Sequence, residues 1–302
     1  MLARSTLAAL VVLALATTAC GIKSEPTGVL PAFPQTASDS FGRQVEVTSA
    51  PKRIVSLDPG LSESLVALGL GSRLVGRSGQ EGNHFKHQVP VVLKANGEPN
   101  VPELEKLEPD LILATPDNVP SASIADALAT AVGAEVYVSN PSTVHDVEND
   151  LEQVGALTDT RAKAQKLVNQ IATEQRRVAR AVRGQSPIPV FVDLGFRNTI
   201  PAGSLGADLI ALAGGRNIAA QTPEGKPVPS HVLKTGAPQV YLVAASSGLD
   251  LKQLRNNKAT KSLPAVTSGN VYVVPDSLLT ESGPGVAKAL QTIFHDLHAG
   301  SS

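Results

Sequence analysis

Histidines are the first residues in this sequence that could do chemistry. His84 and His87 are separated by two residues in a polar loop, a spacing from which two imidazoles could hold one metal ion; a pair of solvated loop imidazoles is the plainer alternative. His295 and His298 stand one turn apart near the end of the last helical stretch, where they suit the negative carboxyl end of a helix better than a metal. His145 and His231 have no partner visible in the sequence. Gly69-Leu70-Gly71 has the outline of a dinucleotide loop, but it follows a helical run instead of a strand and lacks the third Gly, so it reads as a helix stop. There is no Walker loop, nucleophile elbow or zinc-protease motif, and no serine sits in a triad context.

A set of loops remains, each following a short β-rich run: Asp58-Pro59-Gly60, residues 78–85, Thr115-Pro116-Asp117-Asn118, Phe196-Arg197-Asn198 and residues 277–283. In α/β sheets, ligands bind beyond the carboxyl ends of the strands, where such loops converge. The ligand contacts expected from this placement are Asp58, Pro59, Arg77, Ser78, His84, Asn96, Thr115, Asp117, Phe196, Arg197, Asn198, Ser277 and Glu281. They offer hydroxyls, amides and charges of both signs without a nucleophile, which suits holding a polar or anionic ligand. Loop structuring is the competing reading for each of them.

The elements that must position these loops alternate. Strands are expected at 54–57, 73–76, 89–92, 110–115 and 135–139, separated by helices near 62–68, 102–108, 121–132 and 143–156. One long helix over 159–183 then breaks the rhythm, opened by Thr158 or Asp159 and stopped by Gly184. Its apolar stripe includes Leu167, Ile171, Val178 and Val182, and Arg176, Arg177, Arg180 and Arg183 load its carboxyl end, a basic end that reads as a solvated helix face rather than an anion site. The alternation resumes with strands at 190–194, 239–245 and 270–274 and helices at 204–213 and 285–297, giving lobe, spine, lobe. Two stretches echo each other in order: residues 65–69 leading to Arg73 resemble 209–213 leading to Arg216, and Pro109 with its following strand resembles Pro238 with its own.

The composition fits two compact units. The chain has 302 residues, 42% hydrophobic and 18% charged, which excludes a disordered chain and a multispanning membrane protein. With 26 basic against 27 acidic residues there is no nucleic-acid footprint. Aromatics are 3%, with no Trp, so stacking platforms are scarce. The single cysteine, Cys20, excludes an internal disulfide.

Arg4, an apolar stretch over 7–16 and small residues up to Ala19 follow the order of a secretory signal. Together with Cys20 and Gly21 they resemble the lipobox of bacterial lipoproteins, in which the cysteine becomes the lipidated first residue. The expected organisation is signal peptide 1–19, lipidated tether 20–38, N-terminal lobe 39–157, connecting helix 158–184 and C-terminal lobe 185–300.

Beyond the signal, Asp39-Ser40-Phe41-Gly42-Arg43, Pro51-Lys52-Arg53-Ile54-Val55-Ser56-Leu57, residues 63–69 with Arg73-Leu74-Val75-Gly76, Leu107-Glu108-Pro109-Asp110-Leu111-Ile112-Leu113 and Ala213-Gly214-Gly215-Arg216-Asn217-Ile218 recur in a set order and spacing. They resemble the class III substrate-binding proteins of ABC importers, which bind cobalamin, ferric siderophores or haem. The resemblance covers residues 39 to 298. It implies an α/β fold of two Rossmann-like lobes joined by one long rigid helix, with the ligand cleft between the lobes, and delivery to a membrane permease driven by an ATPase.

The family docks to its permease through one Glu on each lobe, seven residues before the Pro that precedes a strand. Here those positions are Pro102, with Glu103 beside it, and His231, so Glu103 and His231 are the docking candidates and the docking chemistry differs or the partner does. Among ligands, a ferric siderophore ranks slightly ahead of cobalamin, because Arg197, Arg77 and Lys94 suit an anionic chelate and the three Tyr residues fall inside expected strands. A small oxyanion and haem follow. The resulting expectation is a monomeric, lipid-anchored extracytoplasmic subunit with no cofactor, no resident metal, no enzymatic activity and no nucleic-acid partner. The alternatives are a secreted α/β metal-dependent hydrolase using His84, His87 and Asp117, and a non-transport lipoprotein keeping the fold.

Overall fold

A computed structural model describes residues 32–81, 89–223, 225–280 and 282–299. Two short strands, β1 (Gln35–Ser38) and β2 (Gln44–Val47), pair antiparallel ahead of the first α/β unit. Their turn is set by Asp39, whose carboxylate accepts the Phe41 and Arg43 amides at 3.0 and 2.9 Å and pairs with the Arg43 guanidinium at 2.8 Å. β1 lies within residues 20–38, the stretch expected to be tether: Gln35-Thr36-Ala37 carries too short an alternation to stand out, yet Ala37, Val45 and Val47 are buried in the core of the first unit.

The first unit runs β3 (Ile54–Ser56), α1 (Pro59–Ala67), β4 (Leu74–Gly76), α2 (Val101–Leu107), β5 (Leu111–Ala114), α3 (Ala122–Val132), β6 (Glu135–Val138) and α4 (Val144–Leu157). Its four strands are parallel in the order β4-β3-β5-β6. The expected strand at 89–92 forms no regular strand; Val91 makes an isolated bridge to Arg77, and Leu93 just beyond it makes one to Pro99, because Pro90 within the run and Pro99 opposite Leu93 have no N–H for a ladder.

The second unit runs β7 (Ile188–Asp193), α6 (Leu205–Leu212), β8 (Gly215–Asn217), α7 (Ser230–Gly236), β9 (Val240–Ala244), α8 (Leu251–Asn256), α9 (Pro264–Ser268), β10 (Val271–Val274), α10 (Ser277–Thr280) and α11 (Val286–His298), reached from α4 through α5 (Arg161–Val182). Its parallel order is β10-β9-β7-β8. In both units the first strand is flanked by the second on one side and the third on the other, so the two lobes share one winding. The sequence echoes fall on matching elements, α1 with α6 and β5 with β9. Strand β8 is too short and polar, Gly-Arg-Asn, to be read from sequence.

Helix α5 explains why the lobes form one body. Its buried residues Ala164, Ile171 and Val178 repeat every seven positions, which keeps them on one stripe over its length of roughly 33 Å. Ala164 joins the core of the first lobe and Ile171 and Val178 that of the second, while Leu167 packs against both. Helix α4 does the same in reverse, with Val154 and Leu157 in the first core and Val144, Val147 and Leu151 in the second. A connection that shares two cores cannot swivel without exposing apolar surface at about 25 cal/mol per Å². The helix starts at Arg161 with Thr160 as N-cap, two residues later than its sequence suggests, because Asp159 adopts a left-handed φ of 59°.

Candidate functional site

The strand order reverses between β3 and β5 in the first lobe and between β7 and β9 in the second. Ligands in open α/β sheets bind at the carboxyl ends of such strands. The loops there are residues 57–60 and 115–118 on one side, and 194–198 and 245–248 on the other.

On the first lobe, Asp58 caps α1: its backbone is extended and its carboxylate accepts the Leu61 amide at 3.1 Å, with Pro59 fixing the first turn. Burial raises the Asp58 carboxyl above the ordinary range against the lowering effect of the Leu61 and Gly60 amides, and the negative charges of Asp117 and Glu81 add to the rise. Asn118 ties the two loops together, accepting the Thr115 amide at 3.1 Å and donating to the Leu57 carbonyl at 2.9 Å. Asp117 is left exposed at the rim. These two loops therefore present acceptors and negative charge.

Arg77 and Ser78, expected as ligand contacts, are hydrogen-bonded within their own loop. Glu81, only 6% exposed, accepts the Ser78 amide and hydroxyl, both at 2.9 Å, the Gly79 amide at 2.8 Å, Ser62 at 3.1 Å and the Arg77 guanidinium at 2.9 Å. Burial pushes the Glu81 carboxyl up, but these donors outweigh it and hold it below the ordinary range. Both residues are thus occupied in fastening this loop to α1. Asn96 likewise serves its own exposed turn, accepting the Glu98 amide at 3.2 Å beside the Lys94–Glu98 ion pair. His84, His87 and Glu281 lie outside the described residues.

On the second lobe, three consecutive residues adopt positive φ: Gly195 at 113°, Phe196 at 54° and Arg197 at 65°. Two side-chain-bearing residues in the left-handed region each carry strain of order 1–3 kcal/mol, and surrounding contacts must hold them there. Asp193, 1% exposed at the end of β7, is that contact: one carboxylate oxygen accepts the Gly195 and Arg197 amides at 2.9 Å, and the other accepts the Tyr241 hydroxyl at 2.7 Å. Burial, reinforced by the neighbouring Asp193 charge, pushes the Tyr241 hydroxyl far up, so it stays a donor. The result is a turn that thrusts Phe196 outward, 91% exposed. Arg197 donates to Ser230 at 2.9 Å, and its carbonyl accepts the Val228 amide at 2.9 Å. Just behind, Asn198 Oδ1 and Thr199 Oγ1 are buried without a hydrogen-bond partner among the described residues.

The lobes approach each other at Gly60 and Gly283. A Cβ on Gly60 would stand 2.7 Å from the Ser282 nitrogen, and one on Gly283 would stand 2.7 Å from the Gly60 carbonyl oxygen, so neither position has room for a side chain. The Glu63 carboxylate sits in the same contact, and Ser277 lines a cavity with it.

Of the expected residues, Asp58, Pro59, Thr115 and Asp117 lie in two linked loops of the first lobe, and Phe196, Arg197 and Asn198 lie in one turn of the second. Sequence reasoning placed Gly60, Glu81 and Gly283 in the loops without reading their roles, and missed Glu63, Asp193 and Tyr241. Only Asp193 left a signal, as a carboxylate ending an apolar strand directly before Leu-Gly. Among the described residues no group of three or more His, Cys, Asp or Glu could hold a metal ion, and no helix is long and apolar enough to cross a membrane.

Comparisons with known proteins agree with this architecture. The chain is 25% identical over 278 residues to the uncharacterized ABC transporter substrate-binding lipoprotein YvrC of Bacillus subtilis, covering 87% of each. It is 25% identical over 262 residues to the vitamin B12-binding protein of Photorhabdus laumondii, covering 84% of this chain and 90% of that protein. In structure it is similar to the molybdate-binding protein MolA of Haemophilus influenzae, with a TM-score of 0.74 at 15% identity over 88% of this chain and 92% of the other. The family model for periplasmic binding proteins matches residues 54–278, well over half of the chain, and the chain belongs to that family.

Proposed function

We propose that this chain is the lipid-anchored, extracytoplasmic substrate-binding subunit of an ABC importer, and that its ligand is a metal chelate of the corrinoid type. One observation carries the choice of ligand: a nearly fully exposed aromatic ring, Phe196, held on a strained turn just beyond the carboxyl end of β7. An exposed ring on a strained turn suits a flat, partly apolar face. Asp58 and Asp117 suit amide donors around the edge of such a ligand, and they repel an anion. The relatives named as a vitamin B12-binding protein and as a substrate-binding lipoprotein support the same reading. Anchorage rests on the lipobox-like stretch ending at Cys20, which lies outside the described residues.

A ferric siderophore is the second reading, and Arg197 favours it as a cation beside the same ring. Its guanidinium is already hydrogen-bonded to Ser230, which leaves less of it for an anionic ligand.

The test is thermal unfolding of the lipid-free chain with cyanocobalamin, cobinamide, a ferric hydroxamate, haemin or molybdate in excess. A ligand at a thousandfold over its Kd adds about 4 kcal/mol to stability. A corrinoid is expected to give the largest rise in Tm. A ferric hydroxamate doing so moves the assignment to the second reading, and no rise with any of the five overturns both.

A further inference from the structure

Residues 161–183, helix α5 and its carboxyl cap, hold seven cations and one carboxylate. The chain around them is acidic: without residues 1–20, whose one charge is Arg4, the 26 basic residues become 25 against 27 acidic. The cations of α5 are not spread around the helix. At about 100° per residue, Lys166, Arg176, Arg177, Arg180 and Arg183 fall within about 60° of the line through Arg180, opposite the buried Ala164, Ile171 and Val178. All five are exposed, and no carboxylate shares that sector. Glu174 stands to one side, where it pairs with Arg177 Nε at 3.0 Å.

The side chains of Lys166, Arg180 and Arg183 have no hydrogen bond or ion pair among the described residues, and Arg176 donates to the Thr173 hydroxyl at 3.0 Å. Between the cations stand Ala162, Asn169, Gln170 and Thr173, all exposed, so the face has no large apolar side chain to insert and attracts by charge alone. From Lys166 to Arg183 the row is about 26 Å long. The other two cations are used locally: Lys163 donates to the Leu68 carbonyl at 2.9 Å, and Arg161 donates to the Gln35 side chain. The Arg161 contact puts the first residue of β1 beside the first turn of α5. Gln35 follows Cys20 by fifteen residues, a reach of at most about 54 Å.

We propose that the outer face of α5 lies on the anionic phospholipid headgroups of the membrane that holds the chain. This rests on the anchor reading above. A lipidated Cys20 keeps the helix within reach of headgroup phosphates, at an effective concentration that lets weak contacts hold. Each Lys or Arg close to an anionic lipid surface multiplies the affinity about fivefold, and one straight helix presents its five together. Because α5 is packed into the cores of both lobes, both settle on the surface in one orientation.

The experiment mixes the lipid-free chain with vesicles of phosphatidylcholine alone, or of phosphatidylcholine and phosphatidylglycerol in equal parts, at low and high salt, and reads the bound fraction by co-sedimentation. Binding is expected on the anionic vesicles at low salt only. Lys166→Gln, Arg176→Gln and Arg180→Gln together are expected to weaken it at least about tenfold. Lys234→Gln, Lys252→Gln and Lys258→Gln together lower the net charge equally at exposed positions of the second lobe and are expected to leave binding within about twofold. Gln forms helix as well as Lys and Arg do, and thermal unfolding of both variants reports that the fold is intact. No binding by the wild type, equal weakening by the two triple variants, or capture by inorganic polyphosphate and not by vesicles overturns the lipid-facing surface and leaves the anchor reading in place. A Cys20→Ala chain that stays in the membrane fraction after a high-salt wash overturns the anchor reading, whatever the vesicles show.

Discussion

Truncating Phe196 separates ligand binding from stability. The ring is 91% exposed, so Phe196→Ala uncovers no core, and because Ala inherits the same left-handed φ of 54° the strain is unchanged. Stability is expected to stay within about 0.5 kcal/mol of the wild type. Binding is different. An aromatic side chain can bury about 150–250 Å², and a ligand lying on one face covers roughly half of that. At about 25 cal/mol per Å², 100 Å² is worth about 2.5 kcal/mol, which is a loss of roughly seventyfold in Kd. Calorimetric titration with the chelate that gives the thermal shift, run beside urea unfolding, reads both quantities. An affinity change below threefold, or a stability loss above about 1 kcal/mol, refutes the reasoning, because the ring would then be either a bystander or part of the packing.

Two further substitutions test the machinery behind the ring. Tyr241→Phe leaves one Asp193 carboxylate oxygen buried without its donor, so urea unfolding is expected to show a loss of about 1–3 kcal/mol. Asp58→Asn keeps the helix cap, since Asn caps as well as Asp, and removes a carboxyl whose folded pKa is raised. A raised acid binds its proton more tightly when folded, so the wild type loses stability as pH rises from the ordinary Asp value of 3.8 through the folded value. The variant is expected to be more stable than the wild type at pH 7, with the gap closing below pH 3.8; equal stability at both pH values counts against burial as the cause.

The fold was legible where period and punctuation agreed. The alternation of apolar runs with capped helices located β3, β5, β6, β7 and β9, and the Gly184 stop located the end of α5. β1 (Gln-Thr-Ala-Ser) and β8 (Gly-Arg-Asn) have no apolar run for periodicity to register, and the run at 89–92 looked like a strand because its valines hide the effect of Pro90 among them. The site was legible at the level of loops and less so at the level of roles. Arg77 and Ser78 have the right types for ligand contacts, and only the approach of Glu81, a buried carboxylate from the same loop, shows them otherwise engaged. The left-handed turn at Phe196 and Arg197 carries no sequence mark, because its conformation is imposed from outside by Asp193 and Tyr241.

That imposed turn bears on the timing of capture. Ordering a residue's backbone takes about 1–2 kcal/mol at 25 °C, and for residues 195–197 the single carboxylate of Asp193 has already done so when the chain folds. A ligand that lies on this turn, as proposed above, would meet a surface with little freedom left to surrender, so its association rate would be governed by collision and desolvation instead of by loop rearrangement. Discrimination between similar ligands would then reside in how long each one stays.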